Sequence, residues 1–158
     1  MSNSQQLIAA NLTPFNLISV ANLIAKHPPF SQYPFADMLA TLQQQLERQT
    51  HMLLVKAGRL VGYCGWLVPR QEVIDLWQQG KGTPTPDWDN PEAVLVNIFV
   101  SDDPKAILPI LRAASARGDG LPVYRKRIFQ NGRSEHKRPP VWARKRKGPI
   151  DDSAQRSD

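Results

Sequence analysis

HMLLVKAGRLVGYCGWL, residues 51–67, is the stretch whose reading decides the fold. Two apolar runs, residues 51–56 and 60–67, flank the turn-forming pair Ala57-Gly58, the pattern of two antiparallel strands joined by a short hairpin. Both runs are apolar enough to require cover on both faces. The neighbouring sequence offers that cover. Upstream, Thr13-Pro14 combines an N-cap hydroxyl with a proline whose missing N–H is harmless in a first helical turn. Leu17, Val20, Ala21 and Ile24 then share one helical face, until Pro28-Pro29 stops the helix and pushes His27 out of the α region. After Pro34, the residues Phe35, Met38, Leu39, Leu42 and Leu46 recur at three- and four-residue steps, which predicts a second amphipathic helix ending near Arg48.

Downstream, residues 71–79 read as a short helix burying Val73, Leu76 and Trp77, and residues 80–86 as a loop rich in glycine and proline. Residues 93–100 have the β-branched character of a central strand, interrupted by the polar Asn97. Asp103-Pro104 caps a further helix with Ala106, Ile107, Ile110, Leu111 and Ala114 on one face, ending towards Gly118. Residues 121–129 and 133–138 flank Asn131-Gly132, a strong hairpin-turn dipeptide. The order ααββαβαββ, with no internal repeat, predicts an α+β domain in which helices flank a mainly antiparallel sheet.

At 158 residues the chain supports one core. Its 41% hydrophobic and 22% charged residues argue against a disordered or a membrane chain. From residue 139 onward the sequence has too few apolar residues for a core, so a folded domain over 1–138 and a basic, disordered tail over 139–158 are expected. Cys64 is the single cysteine, which excludes an intramolecular disulfide and a multi-cysteine metal site and favours a reducing compartment. The first fifteen residues lack the basic start and sustained apolar stretch of a secretory signal, and no run approaches a membrane span, so a cytoplasmic location is expected. His27, His51 and His136 are too scattered to argue for zinc, and Gly80 and Gly82 lack the strand and helix of a phosphate-cradling loop. Charge is distributed unevenly. Residues 124–147 hold ten Lys or Arg and one acid, hence +9, which leaves −3 for the rest of a chain of net +6. Such a segment attracts polyanions.

Several stretches resemble the RTX toxin-activating lysine acyltransferases, a family with a fold related to the GNAT N-acetyltransferases. The likeness covers roughly residues 17–138. It rests on an apolar helix ending in His27 before the aromatic-proline stretch of residues 28–34, and on Tyr63-Cys64-Gly65-Trp66, close to the family's Ala-Tyr-Cys-Ser-Trp strand. Asp87-Trp88 followed by the strand around Asn97, and a closing hairpin with Arg127 and Gly132-Arg133, complete it. The resemblance implies a GNAT-like fold and an enzyme that moves a fatty acyl group from acyl carrier protein to internal lysines of an RTX-type toxin or related protein, without a further cofactor. It also implies that His27 is catalytic, as general base or as acyl acceptor, a role that suits an imidazole titrating near neutrality. The family's Asp falls on Asn97, which then becomes the partner expected to orient His27 through its carbonyl. The Ser often found three residues before the histidine is Ile24. Tyr63 and Trp66 are implied pocket residues, and Arg125 and Arg127 implied contacts of the acidic carrier protein. A homodimer is one assembly open to the chain. The coenzyme A loop of Arg or Gln before spaced glycines is missing, which favours a carrier-protein donor. Two other readings stand beside this one: residues 124–147 with Trp142 as a non-enzymatic module binding nucleic acid or an acidic partner, and a degenerate acyltransferase retained as a scaffold.

Overall fold

The hairpin forms as its sequence requires. In the computed structural model, which describes residues 4–128, 134–135 and 141–142, strands β2 (His51–Lys56) and β3 (Arg59–Leu67) pair antiparallel. Ala57 and Gly58 between them both take positive φ, 49° and 73°, the conformation whose twist suits a two-residue hairpin. On the far side of β3 lies β4 (Val94–Ser101), also antiparallel, so the hairpin's second strand is central and buried from Gly62 onward. Strand β5 (Pro122–Arg125) then joins β4 in parallel, the connection passing through a 3-10 turn at Pro104–Ala106 and helix α4 (Ile107–Ala116).

An edge strand that the sequence pattern did not announce, β1 (Gln5–Ile8), pairs with β2. Its four residues are all exposed, so it lacks the alternation that a half-buried strand writes into its sequence. After β5, β6 (Arg127–Ile128) and β7 (Ser134–Glu135) pair with each other in a separate ribbon, and β8 (Val141–Trp142) lies antiparallel to β5. The sheet therefore runs β1-β2-β3-β4-β5-β8, mainly antiparallel with one parallel step, which is the expected α+β class. The Asn131-Gly132 turn and the rest of the expected tail lie outside the described residues. Among the described residues no helix is long and apolar enough to cross a membrane.

Three helices cover one face of the sheet. Helix α1 (Pro14–Ile24) starts on the Thr13 hydroxyl, which accepts from the Asn16 N–H at 3.1 Å, and buries Val20, Leu23 and Ile24. Helix α2 (Phe35–Glu47) buries Leu42, Gln45 and Leu46, and α3 (Gln71–Gln78) buries Ile74. Val20, Leu23, Ile24 and Leu42 pack with Leu53, Tyr63, Ile98 and Val100, while Ile74 packs with Leu67 and Leu95. On the other face Ile110 and Ala114 of α4 meet Met52, Leu54, Cys64, Trp66, Val94 and Val96.

The register between β3 and β4 contains the feature that controls this packing. Gly65 opposes Ile98 and Trp66 opposes Val96, so Asn97 is an extra residue, a β-bulge. Because side chains alternate with period two, one extra residue reverses the facing of all that follow. Val94 and Val96 accordingly face α4, whereas Ile98 and Val100 face α1 and α2.

His51 is fully buried and structural. Its Nδ1–H donates to the Gln45 carbonyl at 2.9 Å, and its Nε2 accepts from the Ala10 N–H at 3.0 Å, which fixes the neutral tautomer. Burial lowers its pKa, the Gln45 carbonyl opposing, and the lone pair that a proton would take is already given to Ala10. A group held neutral in this way contributes stability that is fully present above its unfolded value of about 6.5 and is lost as pH falls through that value towards the folded one. The urea midpoint should therefore be flat between pH 7 and 8 and decline below pH 6.5, with His51 supplying at most about 1.4 kcal/mol per pH unit. His51→Gln should remove that part of the slope, and an unchanged slope would refute the assignment.

Candidate active site at the end of the central strand

The reversed facing of β4 carries past the strand's last residue. Ile98 and Val100 point towards α1, and Asp102 continues their phase. The Asp102 N–H donates to the Val61 carbonyl at 2.8 Å, and Val61 is itself the extra residue of a second bulge, between the pairs Leu54–Gly62 and Val55–Leu60. On the opposite bank, the His27 N–H closes the end of α1 by donating to Ile24 at 2.9 Å, and the His27 carbonyl accepts from the Ser31 N–H at 3.1 Å. Phe30, buried beside Tyr33, anchors that turn. The two banks meet where His27 Nε2 donates to Asp102 Oδ1 at 2.8 Å. The side chains are 26% and 39% exposed, so the pair is accessible to a substrate and still held.

This arrangement corrects the expectation that Asn97 orients His27. Asn97 lies five residues before Asp102, about 16 Å along an extended strand at ~3.3 Å per residue, and its Oδ1 accepts from Gln45 Nε2 at 2.8 Å. It is the bulge residue, and the carboxylate that meets the imidazole is Asp102. Ile24, where the resembled family often has Ser, is buried against the sheet. The neighbouring Asp103 has a separate task. Its carboxylate accepts from Lys56 Nζ and from the Lys105 N–H, each at 3.0 Å, and the Lys56 hydrogen bond holds its pKa below the ordinary carboxylate range.

The other expected site residues are spread through the molecule. Tyr63 is fully buried and donates its hydroxyl to Gln45 Oε1 at 2.7 Å, while Trp66 is buried on the α4 face, so the two belong to opposite layers of the core. Burial pushes the Cys64 thiol up to about 12, as suits an inert core residue. Arg125, half-buried, ends β5 opposite Val96. Arg127 stands in β6 opposite Glu135, its side chain outside the described residues. A cleft of about 360 Å³ lined by Arg70, Asp87, Trp88 and Asp89 among others lies near the N-terminal end of β4, away from His27. Among the described residues no cluster of His, Cys, Asp and Glu has the makings of a metal site.

Parallel pairing of β5 with β4 stops at Val96–Arg125. Residues 97–101 of β4 thus have, among the described residues, no strand on the β5 side, and this open edge leads directly to Asp102.

This fold is that of the GNAT-like acetyltransferases. Among solved structures it is similar to the loading GNAT-like domain of CurA from Lyngbya majuscula, with a TM-score of 0.57 and 10% identity over 82% of this chain and 67% of that one. Diaminobutyrate acetyltransferase EctA from Paenibacillus lautus, solved with L-2,4-diaminobutyric acid and coenzyme A, gives 0.53 and 11% over 80% and 68%. The GNAT-like decarboxylase GphF, in complex with isobutyryl-CoA, gives 0.51 and 16% over 78% and 67%. No protein-family model and no curated protein matches the sequence. At such identities the likeness is one of fold, and a decarboxylase among the three underlines that chemistry must be argued from the site.

Since both members of the His27–Asp102 pair keep contact with solvent, their ion pair should contribute less than about 1 kcal/mol to folding. Asp102→Ala should therefore leave the thermal midpoint within a few degrees of the parent; a collapse of the fold would mean that the contact is structural.

Proposed function

We propose that this chain is an acyltransferase that moves an acyl group from a thioester donor to an amine, with His27 as general base and Asp102 as the group that orients it. The observation that carries this reading is the 2.8 Å contact between His27 Nε2 and Asp102, set at the end of the open edge of β4. With Nε2–H given to the carboxylate, Nδ1 presents a lone pair to the incoming amine. The amine nitrogen attacks the thioester carbonyl carbon, a C–N bond forms, the C–S bond breaks, and the proton passes from nitrogen to His27 and on to the departing thiolate. Asp102 holds the ring and balances the imidazolium formed during transfer, which an amide at the same place would not do. The β5-side edge of residues 97–101, which no described strand covers, suits a pantetheine arm, whose two amide groups can add to a strand edge by main-chain hydrogen bonds.

The proposed donor is acyl-acyl carrier protein. Asp102 and Asp103 precede the 3-10 turn at Pro104 that leads into α4, and two carboxylates there oppose the diphosphate of coenzyme A at a place where a helix start would otherwise attract it. The proposed acceptor is a lysine of a protein substrate, of the RTX toxin type by the sequence resemblance, and the setting is cytoplasmic. On this reading Asp102 is the acid that assists His27, so the enzyme reading does not depend on Asn97.

Transfer of labelled acyl groups from acyl carrier protein to a lysine-bearing protein tests the reading. His27→Ala should slow it by roughly 10²–10⁴, as loss of a general base does, and Asp102→Asn should slow it too. Asn97→Asp should give no acceleration. Transfer by His27→Ala at the parent rate would overturn the assignment.

A further inference from the structure

Gln45 is a fully buried polar side chain on α2, and each of its polar atoms is used. Its Nε2 donates to Asn97 Oδ1 at 2.8 Å and lies 3.4 Å from the Trp66 carbonyl, so it spans the two strands at the bulge itself. Its Oε1 accepts from the Tyr63 hydroxyl, and its main-chain carbonyl accepts from His51. The strand opposite makes room for it. A Cβ on Gly65 would overlap the Gln45 carboxamide, so glycine at this position is what lets an amide reach the ladder. A buried amide with this many partners costs too much to desolvate unless all are kept, and it therefore selects one register between β3 and β4. That register fixes the facing of Ile98, Val100 and Asp102.

We infer that Gln45 and Asn97 form an amide clasp that positions Asp102 against His27, Gln45 being a positioning residue that acts through the bulge. The inference rests on the proposed catalytic role of the His27–Asp102 pair for its effect on rate, but not for its effect on geometry. Without the clasp β4 can regain regular alternation, which sends Asp102 to the α4 face and leaves His27 without its carboxylate.

The test is ¹⁵N-histidine NMR of the full chain at low temperature, joined to transfer kinetics. Among the described residues, two hydrogen-bonded ring N–H signals are expected, Nε2–H of His27 on Asp102 and Nδ1–H of His51 on Gln45, with His27→Gln assigning the first. The His51 signal reports that the fold is intact. Asn97→Val, at a half-buried strand position that tolerates a β-branched residue, should lose the His27 signal and keep that of His51. Its kcat should fall roughly tenfold or more while KM changes little, as expected for misplacement of a reacting group. Asn97→Asp, which preserves the acceptor for Gln45 Nε2, should keep both signals. Gln45→Met should behave like Asn97→Val wherever its His51 signal persists. Retention of the His27 signal in Asn97→Val would overturn the clasp. Loss of that signal in a protein whose parent transfers no acyl group would uphold the clasp and remove the acyltransfer reading instead.

Discussion

Asn97 interrupts the ladder between β3 and β4, and every side chain after it in that strand faces the layer that regular alternation would deny it. The consequence is a division of labour along one strand. Its first half packs Val94 and Val96 against α4, and its second half packs Ile98 and Val100 against α1 and α2. Two helical layers thus draw on a single strand for their cores, and the strand's end arrives on the side where the turn after α1 carries His27. The bulge also falls where β5 parts from β4. Bulges increase local twist and bend, so divergence of the next strand at the same level has a ready physical cause.

The elements that could be read from the sequence are those whose burial has a period. The spacing of Leu17, Val20 and Ile24 marked α1 and Thr13 its start, although the helix ends at Ile24, before Pro28, and the hairpin at Ala57-Gly58 was equally plain. Strand β1 was not legible, since an exposed edge strand needs no apolar alternation, and its pairing is supplied by β2. At the candidate site, His27 was singled out by the resemblance of its helix and the aromatic-proline stretch after it. Its partner was not. The resemblance placed an acid on Asn97, but Asn97 is a bulge residue bonded to Gln45, and the carboxylate against His27 stands beyond the strand's end. The available signal was the pair Asp102-Asp103, of which one acid was sufficient to cap the following turn; the second had no evident task. Gln45 was hidden among three consecutive glutamines, and only the space left by Gly65 distinguishes it.

The two adjacent acids show how neighbouring carboxylates acquire different chemistry. Asp103 is occupied on both oxygens, by Lys56 and by the turn it caps, and so contributes to local order. Asp102 makes one contact to a ring that is partly open to solvent, and so remains available to a reaction. Their alternate facing separates these roles by a single residue, and the carbonyl of Val61 holds the Asp102 backbone in place. Holding the His27–Asp102 pair costs folding little, because each group keeps part of its contact with water.

Cys64 offers a use of another kind. It is the single thiol of the chain, has no accessible surface, and sits in the middle of β3 between Tyr63, which reaches the Gln45 clasp, and Gly65, which makes room for it. A thiol-reactive dye can meet it only when the sheet opens around it. The rate of its modification is then a clock for that opening, read in the native protein without denaturant and at the level of the strand on which both faces of the molecule are assembled.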